Sequence, residues 1–336
     1  MYNKKEIVKI AKDLMLFRYY KMSDFNVPQL NEIYEGIRHE LSYDQVDTYL
    51  NPKLSPRHMA IMRTYLEFDM PIKKVSVVAN PEFTELQVRE ILNGFDLGLT
   101  DEQMKLCTCP ISKVKGYFRS GQMNEIISGF VLGLNINQVK IYAKLDFDEK
   151  QMNEIKLGLI NHLPIKAIQI YAHSYFDVEQ MKVVREGLLN KLTINQVNMY
   201  ADRHLSVKTM KAMMDGFIRG LSIEQMETCI DIADKEYAIP SIIEGFLRGL
   251  TMDQLKLCAT ECNITNDKMD YIYLGIRQGF SAEQLDFLKS VRSDIVPTVH
   301  DMLLSGKPIS EIDTDKLEFE ANEDKYISWR QPNWVI

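Results

Sequence analysis

A chain of 336 residues is longer than one ordinary core of ~100–200 residues accommodates, unless it folds as a barrel or a repeat array. With 46% hydrophobic and 26% charged residues, and only 16 Gly and 11 Pro, its composition excludes a disordered polymer. A formal charge of −7 argues against a generic polyanion binder, and no apolar run approaches the ~20 residues that span a bilayer.

The first predicted element covers residues 1–23. Ile7, Ile10, Ala11, Leu14 and Phe17 share one helical face, as a capping helix requires. Residues 1–22 hold six basic and two acidic side chains, so +4. Charges at Lys9, Lys12 and Asp13 interrupt any signal-peptide core, so the expected compartment is the cytoplasm.

Residues 24–309 read as a repeat array. The segment from Asp146 to Ser174, DFDEKQMNEIKLGLINHLPIKAIQIYAHS, is followed by YFDVEQMKVVREGLLNKLTINQVNMYADR from Tyr175 to Arg203. Gly36, Gly94, Gly129, Gly158, Gly187, Gly216, Gly245 and Gly275 keep the register, with Tyr65 in the missing slot. Successive spacings are 29, 29, 35, 29, 29, 29, 29 and 30. Each unit predicts two short helices. Met152, Ile155 and Leu159 mark the buried stripe of the first, and Ile168, Tyr171 and Ala172 that of the second. Such helices are marginal alone and bury their stripes only by stacking. The expected fold class is therefore all-α: an α-solenoid, a HEAT-like superhelix of about nine 29-residue helix–turn–helix repeats with N- and C-terminal caps.

Gln45, Gln103, Gln138, Gln196, Gln225, Gln254 and Gln284 recur nine residues after the register position. Three residues before each stands Ser42, Thr100, Asn135, Thr193, Ser222, Thr251 or Ser281, which is a capping box. Where the Gln becomes Lys74 or Ala167, the cap becomes Pro71 or Pro164. Thr84/Gln87, Asp148/Gln151 and Asp177/Gln180 repeat the device on the first helix. A mid-helix glycine costs ~1 kcal/mol against Ala, so its recurrence predicts close approach by a neighbouring helix. Gly98, Gly133, Gly220, Gly249 and Gly279 fit helix C-caps. Cys107, Cys229 and Cys258 fill the slot of Tyr49, Tyr142, Tyr171 and Tyr200, which makes them buried thiols, not ligands. Cys107-x-Cys109 and Cys258-x-x-x-Cys262 lack a second paired half and neighbouring histidines, so no metal or other cofactor is expected.

The period breaks at a six-residue insertion, at about 109–122, which gathers Lys113, Lys115, Tyr117, Phe118 and Arg119 around Gly116. Basic residues interleaved with aromatics suit a nucleic-acid contact or an acidic protein partner. A lengthened loop with Tyr117 and Phe118 packed inward accounts for the same residues. Residues 310–336 form the last segment, with three basic and seven acidic side chains, so −4. Tyr326, Trp329, Arg330 and Trp334 make it either a cap for the open end of the array or a docking peptide.

No H-E-x-x-H, G-x-S-x-G, Walker A or dinucleotide fingerprint is present, so neither an enzyme nor a small-molecule site is expected. Across 24–290 the QM-x-x-I-x-x-G-L and Q-V-x-x-Y-A strings resemble helical-repeat proteins of anaerobic Gram-positive gut bacteria and their mobile elements. That resemblance implies an architecture and a mobile-element setting, with no activity attached. The leading expectation is a non-enzymatic, cytoplasmic solenoid that engages a protein partner as scaffold or inhibitor, away from any membrane. The alternative is a nucleic-acid or nucleoprotein binder, such as a factor inhibiting a host defence complex of the CRISPR type.

Overall fold

The structure is a computed structural model that describes residues 20–109, 116–233, 236–251, 255 and 266–328. The chain divides into two compact units, residues 1–185 and 186–336. Among the described residues every regular element is a helix.

In the first unit long and short helices alternate: α1 (Val27–Arg38), α2 (Tyr43–Tyr49), α3 (Pro56–Glu67), α4 (Ile72–Val75), α5 (Glu85–Asp96), α6 (Asp101–Thr108), α7 (Ser120–Val131), α8 (Ile136–Tyr142), α9 (Glu149–Ile160) and α10 (Ile165–Tyr171). The unit boundary falls inside α11 (Val178–Leu189). The second unit continues with α12 (Ile194–Tyr200), α13 (Val207–Ile218), α14 (Ile223–Ile232), α15 (Ile239–Leu247), α16 (Asn266–Arg277), α17 (Ala282–Ser290), α18 (Val296–Leu304) and α19 (Thr314–Ser328). In the first unit each of the long helices α1 to α7 packs on the next long helix and on its own short one. In the second, α13 packs on α15, and α16 on α18.

The boundaries follow from caps. Ser42, Thr100, Asn135, Thr193, Ser222 and Ser281 each accept from the backbone N–H of the Gln three residues on, and that Gln accepts in return from the cap N–H. Pro71 and Pro164 start α4 and α10 with no side-chain cap. The predicted C-cap glycines Gly98, Gly133, Gly220, Gly249 and Gly279 all have φ between 82° and 102°. Glu40, Asp69, His162 and Lys191 take that left-handed position in other units.

The Gln seven residues before the register glycine does more than cap. Gln122 Nε2 donates to the Phe147 carbonyl at 2.7 Å, and Gln151 Nε2 donates to that of Phe176 at 2.7 Å. Gln29 holds the Leu54 carbonyl at 2.7 Å in the same way. Each glutamine thereby satisfies a buried loop carbonyl of the following unit and locks one unit to the next. Where the residue differs, the side chain still holds a carbonyl further along the chain, but a different one. His58 Nε2 donates at 2.7 Å to the carbonyl of Val78, which stands in the tyrosine slot, and Lys268 Nζ donates to Val291 O at 2.6 Å. Burial, opposed in part by that carbonyl, holds the His58 ring below the usual histidine range, which keeps it neutral.

The register glycines do admit the close approach of a neighbouring helix, and it comes from a side chain. At most of them that side chain belongs to the same repeat's short helix, and at Gly275 it is Phe280 of the turn. A Cβ on Gly36, Gly129, Gly158 or Gly187 would overlap the hydroxyl of Tyr49, Tyr142, Tyr171 or Tyr200. Tyr142 donates to Glu125 O at 3.1 Å and Tyr171 to Glu154 O at 3.4 Å, so the phenol ties the short helix to the long one. Over Gly94 and Gly216 the space is filled instead by Met104 and Met226, and Cys107 and Cys229 stand in the tyrosine slot.

Ion pairs set the pitch between long helices of the first unit. Arg63 binds Glu32 at 3.0 Å, Lys156 binds Glu125 at 2.5 Å, and Arg185 binds Glu154 at 2.8 Å, always from two residues before the register position to four before the preceding one. Lys156 is only 7% exposed and adds a bond to Ser128 Oγ at 2.8 Å. Pairs this buried contribute more to register than to net stability.

Candidate interaction surfaces

The insertion does not present its aromatic residues as a cluster. Phe118 is 3% exposed, and its carbonyl accepts from Gln87 Nε2 at 2.6 Å. That is the place held by Leu54, Phe147 and Phe176, so Phe118 is a regular core position and the extra residues precede it. Tyr117 is half-buried, 4.4 Å from the Phe83 ring, and its hydroxyl accepts from Asn80 Nδ2 at 2.9 Å. Arg119 is exposed and faces Glu149 at 3.8 Å. Phe118 packs inward and Tyr117 partly so, while Arg119 is at the surface. Lys113 and Lys115 lie outside the described residues, as do Trp329, Arg330, Trp334 and residues 1–19. Tyr326 belongs to α19, and its side chain is outside the described set.

Two other surfaces stand out. The first is the turn from a long helix to its short helix. Phe68, Leu97 and Leu132 occupy the same slot in consecutive units, three residues after the register position, and are 80%, 53% and 57% exposed. Val131, Ile72 and Ile165 are exposed at other positions of the same turns in the first unit, and Leu189, Ile194 and Ile218 occupy the corresponding positions in the second. Their helical neighbours at Leu66, Phe95 and Phe130 are buried, so the exposure is not a frayed core. Adjacent helices pack ~8–10 Å apart, which places Phe68, Leu97 and Leu132 in one stripe.

The second surface is the outer face of α8 and α10. Asn137, Lys140, Ile141, Lys144, Gln169 and His173 line a groove of about 510 Å³ between them. Neither helix contains an acidic residue. Among the described residues Lys140 and Lys144 have no carboxylate at ion-pair distance; Lys144 lies only over the Phe147 ring at 5.7 Å. At the groove's end His173 stacks on Tyr175, with centroids 4.9 Å apart and an 8° interplanar angle. The other short helices of the first unit differ: α2 exposes Asp44 and Asp47, α6 exposes Asp101 and Glu102, and α4, though acid-free, has Lys73 paired with Asp101 at 2.6 Å and Lys74 over the Phe95 ring.

Among the described residues no group of three or more His, Cys, Asp or Glu is placed to hold a metal. Cys107 and Cys229 are buried free thiols, and burial pushes them up to about 12 and about 11. No helix among the described residues is long and apolar enough to cross a membrane. No family model, curated protein or solved structure matches the chain.

Proposed function

We propose that the chain is an α-solenoid of about nine 29-residue helix–turn–helix units with capped ends, and that it acts without catalysis by engaging a protein partner as scaffold or inhibitor. The observation that carries this reading is the stripe of Phe68, Leu97 and Leu132. Single exposed apolar side chains are ordinary, but an aligned row in consecutive units is what a protein interface buries. The recurrent Gln, Gly, Tyr and Met residues are occupied in holding the units together, which leaves such non-structural side chains for recognition. The cytoplasm, and the mobile-element setting that the resemblance implies, belong to the same proposal.

The test is affinity capture from host lysate with the parent and a Phe68→Ser/Leu97→Ser/Leu132→Ser variant. A stoichiometric protein recovered by the parent and lost by the variant supports the reading. Equal recovery by both, or none by the parent, refutes it. A salt-sensitive shift of an oligonucleotide, with no protein recovered, would replace it by the nucleic-acid alternative.

A further inference from the structure

We propose that the groove between α8 and α10 is a subsite for an extended acidic peptide segment. The proposal rests on reading the chain as a protein binder, but it concerns a different face from the apolar stripe. Its basis is a set of uncompensated cations. In a chain of net charge −7, α8 and α10 carry Lys140 and Lys166 and no acidic residue, Lys144 follows α8 directly, and Lys140 and Lys144 line the groove; the acid-free α4 has its Lys73 paired with Asp101, and the acid-free α12 has no lysine. Lys140, Lys144 and Lys166 are exposed, and among the described residues none has an ion-pair partner. Three cations left unpaired in an acidic protein attract a complementary anion.

The amides decide what kind of anion. Asn137 and Gln169 line the same groove and make no hydrogen bond among the described residues, so they are free to pair with the N–H and C=O groups of a peptide backbone. Successive units stand ~10 Å apart, and an extended chain advances ~3.3–3.6 Å per residue. Carboxylates about three residues apart therefore meet the cations of α8 and α10 in turn. A nucleic-acid strand fits less well, because it carries a phosphate at every nucleotide and so brings more charge along the groove than these few lysines neutralise. Continued along the short-helix row of the first unit, such a strand would meet Asp101 and Glu102 on α6. His173 already covers one face of Tyr175, so that ring does not offer an open platform for a base.

The experiment uses the full-length protein and three labelled probes in fluorescence anisotropy at low and high salt. The probes are a Gly/Ser peptide with Asp at every third position, the same peptide with Asn in place of Asp, and an oligothymidylate of similar length. The acidic peptide is expected to bind and to weaken with salt, while the Asn peptide does not bind. Lys140→Glu/Lys144→Glu should weaken acidic-peptide binding about tenfold or more, with the thermal unfolding midpoint unchanged. The apolar-stripe variant should bind this peptide as the parent does, so failure here is separable from failure of the protein-binding reading. Tighter binding of the oligothymidylate, no binding of the acidic peptide at low salt, or equal binding by the charge-reversed variant overturns the proposal.

Discussion

In the α7–α8 pair a tyrosine hydroxyl fills the space over Gly129, whereas in the α5–α6 pair the Met104 thioether fills the space over Gly94. The two pairs share a register, a capping box and a turn glycine, yet solve one packing problem from different positions. Where the tyrosine slot holds Tyr142, the residue three before it is Val139; where it holds Cys107, that residue is Met104. Met226 and Cys229 repeat the second solution in the other unit. The difference teaches that the glycine is reserved for the tip of a side chain. That tip is rigid and hydrogen-bonded in one case and flexible in the other.

The largest effect should come from filling that space. In Gly129→Ala the new Cβ overlaps the Tyr142 hydroxyl, which must leave both its pocket and the Glu125 carbonyl. The expected loss is about 3 kcal/mol in urea denaturation. In Gly94→Ala the new Cβ meets the Met104 methyl and sulfur at 2.8 Å. A flexible thioether can yield, and the gain in helix propensity offsets ~1 kcal/mol, so the expected loss is under about 1 kcal/mol. Equal losses in the two variants would break the distinction.

A smaller loss, about 2 kcal/mol, is expected for Gln122→Leu, which leaves the buried Phe147 carbonyl unpaired and removes half a capping box. Next come the hydroxyls themselves. Tyr142→Phe should cost about 1 kcal/mol. Tyr200→Phe should cost nothing or stabilise slightly, because the Tyr200 hydroxyl is buried and has no hydrogen-bond partner among the described residues. A calorimetric scan of the two side by side reads the value of the bond to Glu125.

The smallest perturbation is chemical. Burial raises the thiols of Cys107 and Cys229, so near pH 8 their thiolate fraction in the folded chain falls far below that of an ordinary cysteine. Mass-spectrometric mapping after brief alkylation should find exposed Cys109 modified and Cys107 and Cys229 protected until urea is added. The buried tyrosines carry the matching pH dependence. Burial raises Tyr142 and Tyr171 above the ordinary value of about 10. Their neutral forms are thus favoured in the fold, and that stability is present below pH ~10 and lost as the pH rises further.

Much of the helical framework was legible in the sequence because caps and turns are local. Ser42 with Gln45, or Gly98 after Phe95, can be read within a few residues. The glycine–tyrosine contact spans thirteen residues and shows in sequence only as exchanges, such as Tyr65 with Val78 in place of Gly and Tyr. The second bond of Gln122 reaches a carbonyl 25 residues on, so its capping role hid its clamping role. That same spacing, lengthened by six between Gln87 and Phe118, assigns Phe118 to the core. The candidate surfaces were less legible. Leu97 and Leu132 follow helical apolar stripes closely enough to pass for core. The acid-free α8 and α10 disappear in a net negative charge.

The central claim is that Phe68, Leu97 and Leu132 take no part in holding the free protein together and are left for a partner. The most direct measurement is the urea midpoint of the Phe68→Ser/Leu97→Ser/Leu132→Ser variant against the parent. An unchanged or slightly higher midpoint is expected, since exposed positions away from structural features shift stability by no more than about 0.5 kcal/mol each. A fall as large as that of Gly129→Ala would mean the stripe is covered within the chain itself, and would contradict the claim.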